Sequence, residues 1–175
     1  MKEWIKDIVI AIIIALVVVQ FIKPTIVKES SMEPNFYEND YLFVSKQAYR
    51  FNEPKRGDVV IFHSSLLQEN GDEKLLIKRV IGLPGEIIEV KDGHVYINGK
   101  MLDDSFTMDG TTYGYVDGLI IPPDKYFCMG DNRDVSIDSR DESVGCVDIE
   151  QIVGKAVFRL FPFGEFGTID NPFEE

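Results

Sequence analysis

The chain is poor in the residues on which most hydrolytic sites are built. Its 175 residues include two histidines, His63 and His94, and two cysteines, Cys128 and Cys146. Two cysteines are too few for a disulfide framework and have no metal-ligand spacing. There is no H-E-x-x-H and no C-x-x-C, nor a G-x-x-x-x-G-K-[ST] loop to cradle a phosphate. Neither a metal nor a cofactor is expected. Positive charge is also scarce, with 18 Lys plus Arg against 30 Asp plus Glu and a net charge of −12. That balance repels phosphate backbones, so nucleic acid is excluded as a partner. The acidity reads instead as a well-solvated surface.

Apolar residues are plentiful: 45% of the chain is hydrophobic, with 12 Phe and 7 Tyr, enough to bury the core of one ordinary domain. The longest apolar run lies at the N-terminus, where IVIAIIIALVVV from Ile8 to Val19 contains no polar residue. A helix from Trp4 to Ile22 would be about 28 Å long, close to the ~30 Å of a bilayer's hydrocarbon core. A cleavable signal peptide needs small residues at its cut, and VVVQFIKPT offers none. A buried soluble helix would show a polar stripe. The reading is therefore an uncleaved transmembrane anchor over residues 1–22, which Pro24 ends. Lys2 and Lys6 are balanced by Lys23 and Lys28, so charge alone does not orient it. No second run of adequate length follows, so a single crossing is expected.

Beyond Pro24 the hydrophobic pattern has period two. Residues 41–49, 58–64, 75–81, 86–90, 94–97 and 152–161 read as strands. Asp92-Gly93 and Asn98-Gly99 read as hairpin turns, LPGE at 83–86 as another turn, and QENGDEK at 68–74 as a polar loop. No long amphipathic helix, repeat or linker interrupts them. Residues 23–175 are thus expected to form one antiparallel, mostly β domain behind the anchor.

The stretch KESSMEPNF at 28–36 sets Ser30 and Ser31 side by side in a turn-like context, with no histidine nearby. No G-x-S-x-G surrounds any serine. His63 is mid-strand and His94 opens one; sequence distance excludes neither as a base. A lysine is the other possible proton acceptor. In LLIKRVIGLPG, alternation puts Lys78 on the strand face of Leu76 and Val80. Desolvation there disfavours its charged form and lowers its pKa. A lysine snorkelling from a strand edge remains the alternative.

Four segments behind the apolar run now combine: SSMEP (30–34), RGDVVIF (56–62), KRVIGLPGE (78–86) and GDNRDVSIDSR (130–140). In this order they resemble the bacterial type I signal peptidases. The resemblance implies a β-rich catalytic domain outside the cytoplasmic membrane, with a cytoplasmic N-terminus and a Ser-Lys dyad. Carried over by position, Ser31 is the nucleophile and Lys78 the general base. Ser136 matches the serine that orients the lysine. Asp138 and Arg140 match a supporting ion pair, with Asp131 and Arg79 in the same charged neighbourhood. The implied reaction is removal of signal peptides from exported preproteins by a monomer at the lipid bilayer. Cleavage follows small residues at −3 and −1, as in A-x-A. Val27, Met32, Phe36 and Ile77 would line the pockets for those residues, although alternation turns Ile77 away from the face of Lys78. They also read as plain core residues.

One position departs from the pattern. Some members of the family carry a serine two residues before the nucleophile, where its hydroxyl joins the oxyanion hole, and here that position is Glu29. An ionised carboxylate cannot donate, so the Ser31 backbone N–H would be the main donor. Cys128 and Cys146 either pair or remain as buried free thiols. Two rival functions stand beside the peptidase. A self-cleaving repressor with a Ser-Lys pair would carry a DNA-binding domain and no anchor, the reverse of this chain. A tethered β domain without activity would have no need of Ser31, Lys78, Ser136 and Asp138 together.

Overall fold

The structure, a computed structural model, describes residues 4–12 and 22–174. Residues 4–12 are helical with exposed side chains. The expected anchor falls largely on residues outside those described. Among the described residues no helix is long and apolar enough to cross a membrane.

The rest is mostly antiparallel β-structure, as its period-two patterning implies. Strands β1 (Ile22–Ile26), β2 (Tyr41–Ser45), β3 (Val59–Leu67), β4 (Glu73–Gly82), β9 (Lys125–Met129), β10 (Val147–Asp148), β11 (Ile152–Phe161) and β12 (Gly167–Thr168) make one sheet. Its order is β1-β2-β11-β3-β4-β9-β10, with β12 paired to β11. Strands β5 (Ile87–Lys91), β6 (His94–Ile97), β7 (Lys100–Met101) and β8 (Val116–Ile120) make a second sheet, ordered β7-β6-β5-β8.

Several boundaries differ from the sequence reading. The strand expected over 41–49 stops at Ser45, and residues 46–49 form a turn. Pro24 lies inside β1 rather than ending a helix. Among the described residues β1 is an edge strand paired with β2, so the missing N–H costs no central ladder bond. β3 and β4 run further than expected, which narrows the polar loop to Gln68–Asp72. β8 and β9 were not legible. VDGLI carries Asp and Gly in a short edge strand, and Tyr126–Met129 is buried at every position, so neither alternates.

Three buried clusters hold the sheets. Val27, Met32, Phe36, Leu42, Val44, Val59, Ile61 and Ala156 form the first, with Ile77 packed against it. Ile81, Ile88, Val90, Val95, Ile97, Ile121, Phe127 and Met129 join the two sheets. Val60, Phe62, Leu76, Val80, Tyr126, Cys128 and Val147 form the third. Alternation along β4 thus feeds different cores: Leu76 and Val80 enter the third cluster, Ile77 packs on the first and Ile81 enters the second.

Candidate active site

Ser31 sits in a single 3-10 turn, Ser30–Met32, that follows β1. Burial of Met32 and Phe36 beside Val59, Ile61 and Ile77 draws this turn over the β3–β4 face. Lys78 lies in the middle of β4, opposite Val60 of β3. β9 is the other neighbour of β4, pairing Met129 with Arg79, so the segment after β9 emerges beside Lys78. Three stretches distant in sequence therefore meet in one place.

At the meeting point Lys78 Nζ lies 2.6 Å from Ser31 Oγ. Ser31 is 5% exposed and Lys78 1%, so the contact is shielded from bulk water. Burial lowers the Lys78 pKa from 10.5 to about 8. Asp138, Glu29 and Asp131 oppose that change by favouring the charged amine, and Lys74 reinforces it. A serine hydroxyl against an amine that loses its charge near neutrality has the parts for nucleophilic attack with proton removal. Neither histidine shares this place. His63 is exposed and pairs with Glu73 at 3.1 Å, and His94 belongs to the second sheet.

The 130–140 segment wraps the pair. Gly130 faces both the Ser31 carbonyl oxygen and the Ser136 hydroxyl so closely that a Cβ there would collide with them. Asn132 also fastens the serine turn: its N–H donates to Ser31 O at 3.0 Å and its side-chain amide to Ser30 O at 3.2 Å. Asp138 is fully buried and accepts from Gly130 N–H at 3.0 Å. Arg140 grips both Asp138 oxygens, Nε on Oδ1 and Nη2 on Oδ2, each at 2.9 Å. Asp131, also fully buried, is held the same way by Arg79 at 2.8 and 2.6 Å. Burying such charges is expensive unless the pairing is complete, and here each carboxylate is bidentate and hydrogen-bonded further.

Of the supporting residues singled out in the sequence, Asp138 joins Arg140 and Asp131 joins Arg79. Ser136 is not joined to Lys78; its hydroxyl is buried beside Gly130 without a protein hydrogen-bond partner. Val27, Met32 and Phe36 are core residues of the first cluster, with Ile77 against it. The cleft that opens beside Ser31, about 290 Å³, is lined instead by Glu29, Ser30, Leu66, Lys74, Leu76, Val135 and Ile137. Glu29 pairs with Lys74 at 2.5 Å. Cys128 and Cys146 are free thiols, not a disulfide, and burial raises both pKa values.

Other contributors were missed. Asn35 donates to Asp131 at 2.9 Å, and the Phe106 ring lies 5.1 Å from the Arg79 guanidinium carbon and 5.8 Å from that of Arg133. Arg133 Nε donates to Gly130 O at 3.0 Å. Asn132 and Arg133 lie within a quoted motif, but nothing in the sequence says which of its residues face Ser31. Asn35 and Phe106 give no signal at all.

The chain is similar to known proteins of one family. A family model described as signal peptidase, peptidase S26, matches residues 1–161. Signal peptidase I of Bacillus licheniformis is 37% identical over 180 residues, covering 96% of this chain and 92% of its own. Signal peptidase I S of Bacillus subtilis is 37% identical over 174 residues, covering 93% and 90%. A crystal structure of a signal peptidase I from Enterococcus faecalis V583 aligns at 31% identity and a TM-score of 0.45, covering 59% of this chain and 97% of that one.

Proposed function

Because the chain belongs to the signal peptidase family, peptidase S26, and is thereby a serine peptidase, we propose that it removes signal peptides from exported preproteins with Ser31 as nucleophile and Lys78 as general base. The observation that carries this reading is the buried 2.6 Å contact between Ser31 Oγ and Lys78 Nζ. Neutral Lys78 takes the hydroxyl proton as Ser31 Oγ attacks the carbonyl carbon of the scissile bond. The Ser31 backbone N–H is the main donor to the developing oxyanion. The protonated lysine then returns its proton to the leaving amine, and an acyl-enzyme remains on Ser31. Lys78 next activates water, which releases the signal peptide and frees the serine. Ser136 is the hydroxyl available to hold the lysine while Ser31 is acylated. Asp138–Arg140 and Asp131–Arg79 keep the loop rigid around the reacting pair.

Small residues at −3 and −1 bind in the cleft beside Ser31, whose walls include Leu66, Leu76, Val135 and Ile137. Val27, Met32, Phe36 and Ile77, packed in or against the first core cluster, back the serine turn from the core side. The apolar N-terminus, residues 1–22, is the membrane anchor, and residues 23–175 form the catalytic domain outside the cytoplasm. The enzyme acts there as a monomer at the bilayer surface.

The test uses full-length protein in detergent and a preprotein with an A-x-A site. Wild-type cleavage is expected to rise with pH through about 8, following loss of the Lys78 proton. Ser31→Ala and Lys78→Ala should each abolish it, while Ser30→Ala, His63→Ala and His94→Ala retain it. A large loss on replacing either histidine, or cleavage that survives Lys78→Ala, sinks the assignment.

A further inference from the structure

Two charged residues in the cleft beside Ser31 have no part in the mechanism above. Glu29 lies two positions before Ser31, and Lys74 lies four before Lys78. Alternation along β4 puts Lys74 on the face that carries Leu76 and Lys78. Both line the same cleft as Ser31 and Leu76. Their ion pair at 2.5 Å thus ties the segment bearing the nucleophile to the strand bearing the base.

The charges around Lys78 are of two kinds. Asp138 and Asp131 are buried, and each is clamped by its own guanidinium, Arg140 and Arg79. Glu29 and Lys74 are partly exposed, at 47% and 34%, and the ion pair each forms is with the other. The carboxylate of Glu29 favours a charged amine at Lys78 and the ammonium of Lys74 disfavours one. Removing either leaves the other's field uncompensated.

We propose that the Glu29–Lys74 ion pair holds the working pH range of the site in place: while the pair is intact its two opposite charges offset each other at the Lys78 amine, and loss of either one alone moves the range. The inference rests on Lys78 as the general base. It gives Glu29, which stands where a hydroxyl is found in some relatives, an electrostatic role in place of hydrogen-bond donation. Because the pair is half-solvated, its influence depends on ionic strength, unlike that of the buried clamps.

The experiment compares wild type, Glu29→Gln, Lys74→Gln and the double variant, each full-length in detergent. kcat/KM is followed from pH 6 to 10 on a peptide with Ala at −3 and −1. Glu29→Gln should lower the midpoint of the rising limb and Lys74→Gln should raise it. Each shift should be about half a pH unit, the order expected of one partly solvated charge. The double variant should return close to the wild-type midpoint, and the single shifts should shrink in ~1 M salt. Midpoints that do not move, or that move in one direction for both single variants, overturn the inference. So does a uniform loss of rate at every pH, the mark of a merely structural pair. Lys78→Ala is run alongside: if it stays active and wild type shows no rise near pH 8, the base assignment itself fails and takes the inference with it.

Discussion

Lys78 shows what one residue costs the fold that carries it. Its pKa falls from 10.5 to about 8, a difference of about 3 kcal/mol against the charged form. Below about pH 8 the amine is protonated in folded and unfolded chains alike, and the whole penalty is present. Between about 8 and 10.5 the folded state sheds its proton first, so stability rises with pH. Above 10.5 both states are neutral and the penalty is gone. Lys78→Met, which removes the proposed base but is close in volume, should therefore be more stable than wild type by up to about 3 kcal/mol at pH 7. In urea unfolding that advantage should shrink steadily above pH 8. An advantage that does not change with pH would mean that Lys78 is not desolvated. Alternation made the lysine's strand face legible from Leu76 and Val80. The depth of burial was not, because it depends on β9 and the serine turn closing over the strand.

At the scale of elements, the segment from Gly130 to Arg140 does most of the positioning. Glycine is required at position 130 because a side chain there would strike the Ser31 carbonyl oxygen, which is backbone and cannot swing aside, as well as the Ser136 hydroxyl. Gly130→Ala should cost roughly 1–3 kcal/mol of stability, as overpacking does, and should remove most of the cleavage activity. Gly164→Ala provides the control, since the added methyl meets nothing within 4 Å. Urea unfolding and the cleavage assay together check this, and a fully active Gly130→Ala would show that the loop does not set the position of Ser31. The motif GDNRDVSIDSR was visible in the sequence, and so was the need to pair its charges. Asp138 and Arg140, two residues apart, were already paired by the resemblance, whereas Asp131 reaches Arg79 because β9 lies beside β4. Strand order leaves no trace in a linear pattern.

At the scale of the whole molecule, the C-terminal tail closes over the back of the site. Thr168 pairs with Phe158 through β12, and Asn171 fills the space where Gly57 has no side chain and donates to Arg56 O at 2.9 Å. Gly57 has φ +91, a left-handed conformation that glycine adopts without strain. Further on, Phe173 packs edge-on against Phe106 at 5.5 Å, and Phe106 covers Arg79 and Arg133. The tail thus braces the Arg79–Asp131 clamp from outside the matched residues 1–161. Truncation after Asp170 should cost about 2 kcal/mol, combining one aromatic pair and one hydrogen bond. A lower melting temperature for the truncated chain would bear this out, and an unchanged one would show that the tail is not a brace.

The sequence by itself determined that the described chain beyond the N-terminus is mostly antiparallel β, because period-two burial and glycine turns are local properties. It left a histidine or a lysine as the partner of a serine, and only the resemblance to the signal peptidases singled out Ser31 and Lys78. Only the tertiary structure decided that Ser31 and Lys78 touch, that Ser136 is not bonded to the lysine, and that Glu29 meets Lys74 across the cleft. These are contacts between segments separated by tens of residues. They are set by how the cores pack and how strands order in the sheet, and no local periodicity encodes either.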